Sequence, residues 1–276
     1  MSFETLSRDG ILLLGCGKMG SALLEGWLAA GLPPPAVHVR DPNPGPRLQA
    51  LRAEGLALNG DLPAAPALCL IAVKPQIMDE ALPDAAALGG GGTVILSIAA
   101  GTPIARFEAA FGPRTPVVRA MPNTPAAVGR GITAIVGNAA ATDAHLALAE
   151  QVLSAVGEVV RLQDEGQMDA VTGVSGSGPA YVFHLIECLA AAGAAEGLPP
   201  ALALQLARAT VAGAGALATA PGAEDPATLR RNVTSPNGTT AAGLEVLMDE
   251  RAGLPPLIRA TVAAATRRSR ELAGPR

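Results

Sequence analysis

Two segments carry residues whose types and spacing suit chemistry. Leu229 to Leu247 reads LRRNVTSPNGTTAAGLEVL, a Ser-Pro turn, an Asn-Gly step and two threonines directly before an apolar-periodic run. A turn of that kind exposes backbone N–H groups at a helix N-terminus, with hydroxyls beside them, and so seats a small anion such as a carboxylate. On its own it is equally an ordinary helix cap. Near the other end, Ile11 to Gly20 reads ILLLGCGKMG, with Gly15, Gly17 and Gly20 spaced G-x-G-x-x-G. The run, which includes Lys18 and Met19, follows an apolar strand and opens a helix. Gly15 serves the tight turn, Gly17 admits a pyrophosphate to the backbone, and Gly20 lets helix meet strand. One segment offers a cofactor seat and the other a substrate anchor.

Other segments fall where an α/β sheet binds ligands. The second strand ends Val37-His38-Val39-Arg40-Asp41-Pro42. An acid about 20 residues past the glycines accepts ribose hydroxyls and favours NAD, as Asp41 would. Arg40 and Arg47 can instead face a 2′-phosphate and favour NADP, so NADPH and NADH both stay open. IAVKPQ, with Val73, Lys74 and Pro75, closes the third strand; Lys74 and Lys18 are the only lysines in the chain. A lysine there is a phosphate or carbonyl partner, or a solvated amine beside a structural turn. RAMPNTPAAVGRG carries Met121, Pro122 and Asn123 on a loop stiffened by prolines, suited to positioning a nicotinamide or serving as a plain connector. VSGSGPAYVF sets Ser175 and Ser177 before a proline-started helix, either a second anion-facing helix start or a bend between domains.

These residues need a scaffold. Strand-type runs are expected at 11–14, 37–40, 68–72, 94–98, 116–120, 132–136 and 158–162, alternating with helices at 19–30, 47–54, 103–111 and 143–155. That alternation predicts a mainly parallel sheet covered on both faces. After Leu162 only helical patterns remain, at 181–196, 200–220, 226–233, 240–250 and 255–272. The expected division is a dinucleotide-binding α/β domain over 1–163 and an Ala-rich all-α domain over 164–276.

Composition limits the alternatives. A net charge of −4, with one Trp, one Tyr and four Phe, gives neither a basic footprint nor stacking platforms for nucleic acid. Three cysteines without paired spacing predict free thiols in a reducing cytoplasm and no zinc site. The polar start MSFETLSRDG is not a secretory signal, and no apolar stretch reads as clean enough to span a bilayer, because Gly, Ser and Pro interrupt Ala170 to Ile186. His38, His145 and His184 form no catalytic or metal spacing. A dinucleotide site without strong acid–base residues predicts that the cofactor does the chemistry.

GCGKMG, AVKPQ, SIAAG (Ser97–Gly101), VRAMPNTPA, SGSGPAYVF and SPNGTT, in this order, resemble pyrroline-5-carboxylate reductase over essentially the whole chain. The resemblance implies an N-terminal Rossmann domain, a C-terminal dimerisation domain, and self-association as a dimer or a ring of dimers. It implies reduction of a cyclic imine carboxylate to proline by NADPH or NADH. It assigns the cofactor to Gly15, Gly17, Lys18, Met19, Gly20, Arg40, Asp41, Val73, Lys74, Pro75, Ala99, Met121, Pro122 and Asn123. The substrate carboxylate goes to Ser235, Gly238, Thr239 and Thr240, with Ser177 nearby, and Thr240 faces the imine nitrogen. Two departures stand out. Asn237 replaces a second glycine; asparagine tolerates left-handed backbone, so the turn is expected to survive. Many members carry an Arg-containing loop suited to NADPH where this chain has Asp41-Pro42. The rival readings are a reductase of another small cyclic imine and a non-catalytic dinucleotide sensor.

Overall fold

A computed structural model describes residues 3–273. One sheet holds β1 (Ile11–Leu14), β2 (Val37–Arg40), β3 (Ala57–Leu58), β4 (Leu68–Ile71), β5 (Val94–Ser97), β6 (Val117–Met121), β7 (Gly131–Gly137) and β8 (Gly157–Arg161). Its order is β3-β2-β1-β4-β5-β6-β7-β8. All pairs are parallel except β6–β7, which the short loop after Met121 joins antiparallel. The central strands ILLL, LCLI and VILS are buried along their whole length, as strands covered on both faces must be.

Helices α1 (Glu4–Asp9), α2 (Lys18–Ala29), α3 (Pro46–Ala53), α4 (Met78–Ala85), α5 (Ile104–Phe111) and α6 (Asp143–Leu153) accompany the sheet. Two apolar clusters fill its surroundings. One gathers Leu23, Leu24 and Trp27 of α2 with Leu51, Val152 and Leu153. The other gathers Met78, Leu82, Phe107 and Phe111 with Leu12, Leu14 and Ile71. The Trp27 indole donates to the Val152 carbonyl at 2.8 Å, so the largest buried ring keeps its polar atom satisfied.

The remaining helices are α7 (Met168–Val171), α8 (Gly178–Ala195), α9 (Pro200–Ala218), α10 (Pro226–Asn232), α11 (Thr239–Leu247) and α12 (Leu254–Ala273). Packing divides the chain into two compact units. One runs to Gly176 and regains the segment from Thr266; the other is Ser177–Ala265. Residues beyond Gln163 stay with the sheet unit because Met168 enters its core and buried Asp169 accepts from Ser269 Oγ at 2.8 Å. Within the helical unit, α8 and α9 form a hairpin turning at Gly197, yet only Ala203 and Ala207 of the pair are buried. Phe183 (61% exposed), Leu206 and Leu217 face outward.

The expectation that no stretch is suited to a bilayer is corrected. Glu165–Ala195 and Pro200–Ala218 are each long and apolar enough to cross a membrane by length and composition. The glycines, serines and proline that interrupt the first run are absorbed. Thr172–Gly176 takes a π-helical turn, and Pro179 falls in the first turn of α8, where no N–H is needed.

Candidate functional site

Strand register sets the cofactor edge. Leu14 pairs with Ile71 and Ile71 with Ser97, so the loops after β1, β4 and β5 leave one edge of the sheet together. The strand order reverses beside β1, where α/β sheets open a crevice for ligands. Gly15 lies at φ +83°, and its N–H donates to the Arg40 carbonyl at 2.7 Å. A Cβ there would stand 2.8 Å from Val73 Cγ1. A Cβ at Gly20 would stand 2.6 Å from the Gly15 carbonyl oxygen, so this glycine lets α2 rest on the turn. Gly17 caps α2, and a Cβ there would meet nothing within 4 Å. Beyond Gly17 the first N–H groups of α2, from Lys18 and Met19 onward, lack intrahelical acceptors. Open space over a helix N-terminus fits a pyrophosphate, so these residues suit the dinucleotide that the sequence implies.

The end of β2 is tied to this turn. Asp41 accepts from the Cys16 N–H at 2.7 Å through one oxygen and from the Asn43 N–H at 2.8 Å through the other. Asn59, at φ +52°, accepts from the Asp41 N–H at 3.0 Å and donates to its carbonyl at 2.8 Å. Arg40 Nη1 donates to the Asn59 carbonyl at 3.3 Å. Leu14, Gly15, Arg40, Asp41, Asn59 and Val73 border a cleft of about 390 Å3, which Glu80 and Asp84 of α4 also line. Arg47 does not line it. Its guanidinium is paired with Glu25 of α2 at 2.7 and 3.0 Å, on an exposed face outside that lining. Asn59, Glu80 and Asp84 escaped sequence reasoning. An asparagine at the end of a two-residue strand was the one available signal.

Further along the edge, exposed Lys74 precedes the turn that Pro75 begins, and Ala99 is buried with its N–H donating to Ser97 Oγ at 3.2 Å. Met121 ends β6, and Pro122 leads to Asn123. Asn123 Oδ1 accepts from the Ile132 N–H at 3.0 Å, and its Nδ2 donates to Ser175 Oγ at 3.2 Å. A Cβ at Gly176 would collide with the Met121 side chain. The MPN loop and the π-helical turn are therefore in contact within the sheet unit.

In the helical unit, Ser177 stands at the start of α8 without a side-chain cap bond. The Ser235–Gly238 turn has Pro236 and then Asn237 at φ +58°. The Gly238 N–H donates to the Ser235 carbonyl at 3.0 Å, as in a type II turn. Asparagine thus holds the left-handed position expected of it. The Gly238 N–H, assigned above to the anion, is used up in closing the turn. The groups at the start of α11 without an intrahelical acceptor come from Thr239, Thr240 and Ala241. Gly238 keeps a role through its size, because a Cβ there would approach the Ser235 carbonyl oxygen to 3.1 Å.

The histidines serve elsewhere. His145 Nδ1 accepts from the Thr142 N–H in a capping box, and His38 is partly buried with its pKa lowered by burial. Cys69 is fully buried and its thiol pushed up to about 12 by desolvation; desolvation also raises Cys16. Among the described residues no group of three His, Cys, Asp or Glu could hold a metal ion.

Comparison with known proteins places this geometry. Residues 165–272 match the family model for pyrroline-5-carboxylate reductase dimerisation, which shows a self-associating region. Residues 10–101 match the model for NADP oxidoreductase, coenzyme F420-dependent. A pyrroline-5-carboxylate reductase of Pseudomonas aeruginosa is 40% identical over 273 residues, 97% of this chain and 98% of the relative. One from Synechocystis is 49% identical over 74% of each chain. The solved pyrroline-5-carboxylate reductase of Coxiella burnetii superposes with TM-score 0.88 at 30% identity, over 96% of this chain and 98% of the other. A Plasmodium falciparum pyrroline carboxylate reductase, solved with NADP bound, gives 0.81 at 26% identity, over 97% and 99%. With the glycine turn, the MPN loop and the Ser235–Thr240 turn standing in this order on this sheet and these helices, the chain belongs to the pyrroline-5-carboxylate reductase family.

Proposed function

We propose that the protein reduces 1-pyrroline-5-carboxylate to L-proline with NADPH or NADH, the last step of proline biosynthesis. The observation that carries the reading is the Ser235–Gly238 turn opening α11, an anion seat in a chain that also bears a glycine cradle at α2. Bound reduced nicotinamide supplies the hydride for the imine carbon, and a proton on nitrogen completes the secondary amine. The chain's own residues supply position, which is most of what an electrophilic iminium requires. Thr239 and Thr240 N–H groups take the carboxylate, with the Ser235 and Ser177 hydroxyls beside it. The Thr240 hydroxyl faces the ring nitrogen and holds the proton there together with water. Lys18, Met19 and Gly17 hold the pyrophosphate; Val73, Lys74, Pro75, Ala99, Met121, Pro122 and Asn123 form the edge along which the nicotinamide lies.

By role, residues 1–163 bind the dinucleotide and 164–276 bind substrate and a second subunit. The uncovered apolar residues of α8 and α9 favour a partner copy over lipid as their cover, because the dimerisation model spans both helices. A dimer, or a ring of dimers, follows. Free thiols at Cys16, Cys69 and Cys188 suit a cytoplasmic setting.

The test is oxidation of NADPH and NADH, in parallel, by purified protein given pyrroline-5-carboxylate. Carboxylate-dependent turnover supports the reading, whereas dinucleotide binding without turnover refutes it. Mixing the impaired Gly17→Val and Thr240→Ala proteins probes whether each site is shared between subunits. Random reassortment of dimers restores about a quarter of the sites if it is, and none if it is not.

A further inference from the structure

We infer that Asp41, backed by Glu80 and Asp84, makes this protein selective for NADH over NADPH. The inference rests on the reading that a nicotinamide dinucleotide occupies the glycine cradle, and it assigns which dinucleotide.

The argument begins with where the Asp41 carboxylate is held. It sits at the carboxyl end of β2, beside the turn that receives the pyrophosphate, where the adenosine ribose of a dinucleotide falls. Both oxygens are fixed by backbone N–H groups, one from Cys16 in the glycine turn and one from Asn43. Asn59 clamps the Asp41 backbone on both sides. The carboxylate cannot swing aside without giving up two hydrogen bonds. Each oxygen keeps acceptor capacity for a hydroxyl, so a 2′,3′-diol finds a preset partner.

A 2′-phosphate meets the opposite condition. It adds close to two negative charges beside Asp41, in a cleft also lined by Glu80 and Asp84, one helical turn apart on α4. Three carboxylates stand against one guanidinium, that of Arg40, which is itself turned toward the Asn59 carbonyl. Arg40 Nε is buried and bonds to nothing among the described residues, but a single partly engaged guanidinium does not offset three carboxylates. Arg47, the nearest sequence neighbour able to help, does not line the cleft and pairs at the surface with Glu25 and Glu54. The family includes a member solved with NADP bound, so selectivity resides in these side chains and not in the fold.

The test is equilibrium binding of NADH and NADPH to the substrate-free protein, by calorimetry or nucleotide fluorescence. Wild type should bind NADH at least about tenfold more tightly, and salt should narrow the ratio by screening the repulsion. Asp41→Ser should tighten NADPH and weaken NADH, closing or inverting the ratio. Because Asp41 also braces the glycine turn, Glu80→Gln gives an independent reading. Glu80 is exposed, and its loss should tighten NADPH by a few-fold more than NADH. NADPH binding as tightly as NADH in wild type overturns the selectivity and leaves the imine reductase reading standing. Binding of neither dinucleotide overturns both. An unchanged NADPH affinity in Asp41→Ser and Glu80→Gln alike removes these carboxylates as its cause.

Discussion

Gly17→Val separates binding from folding more cleanly than any other change in the cradle. At Gly17 the backbone has φ −69° and ψ −163°, an extended conformation that valine adopts readily, and a Cβ would meet nothing within 4 Å. The fold loses only a favourable helix-capping residue, about 1 kcal/mol, or roughly 2–4 °C in Tm for a domain of this size. The cofactor loses much more. The isopropyl group fills the space over the α2 N-terminus and holds a pyrophosphate off its N–H groups. One or two charge-assisted hydrogen bonds at about 1.5–3 kcal/mol each correspond to a Kd weakened by roughly two powers of ten. Gly15→Ala and Gly20→Ala are the controls. The first is strained at φ +83° and strikes Val73, and the second strikes the Gly15 carbonyl, so both should lower Tm more than Gly17→Val does. Calorimetric titration with NADH and thermal melting read both quantities. Normal cofactor affinity in Gly17→Val, or a Tm loss matching that of Gly20→Ala, would refute the reasoning.

Other expectations follow from the same geometry. Thr240→Ala should lower kcat/KM by about one to two powers of ten, the loss of one transition-state hydrogen bond worth about 1.5–3 kcal/mol, and an unchanged value in steady-state assays removes the hydroxyl from the mechanism. Glu165→Ala should destabilise the protein by about 2–4 kcal/mol in urea unfolding, because Glu165 accepts from both Arg119, which is 3% exposed, and the Ile104 N–H. A loss under about 1 kcal/mol would mean that water replaces the carboxylate. Stability should fall on acidification. Hydrogen bonds from Arg47 and Arg161 hold Glu25 and Glu150 below the usual carboxylate range, so their contribution is present above their unfolded pKa and lost as pH falls through the folded one. His38, lowered by burial, adds a loss that begins as pH drops through 6.5, where the unfolded chain gains the proton first. Urea midpoints equal at pH 7 and pH 4 would contradict both signs. Cys69 should resist alkylation until the protein unfolds, and native-state labelling would show that β4 opens.

The sequence made the sheet legible where one physical signal dominated. Runs such as ILLL and LCLI are too apolar for anything but a doubly covered strand, and both lie where they were expected. The two-residue β3 has too few positions to show a period. In α4, Pro83 interrupts the helical pattern, while Met78, Leu82 and Ala85 pack the helix into the core. The helix from Glu165 to Ala195 was hidden for a related reason, since SGSGP reads as punctuation and a π-helical turn absorbs it. At the site, the glycine turn was legible because Gly15 and Gly20 answer local steric demands and Gly17 leaves the helix start open. The Arg40 and Asp41 conflict was not, since it turns on long-range partners. Glu25 takes Arg47, and Glu80 and Asp84 arrive from α4. The fate of the Gly238 N–H depended on the turn type, which Asn237 leaves open until its φ is known.

α12 starts in the helical unit and finishes on the sheet unit, where Ser269 reaches Asp169 and Leu272 lies against Gly101. A ribosome delivers residues in order, so the sheet unit receives its last piece about ninety residues after Gly176. At about 5–20 residues per second that is a wait of roughly 5–20 s. Through that interval the nascent sheet unit has every strand but lacks the segment that covers Gly101 and Asp169. During synthesis the sheet unit is thus completed only after the helices inserted within it.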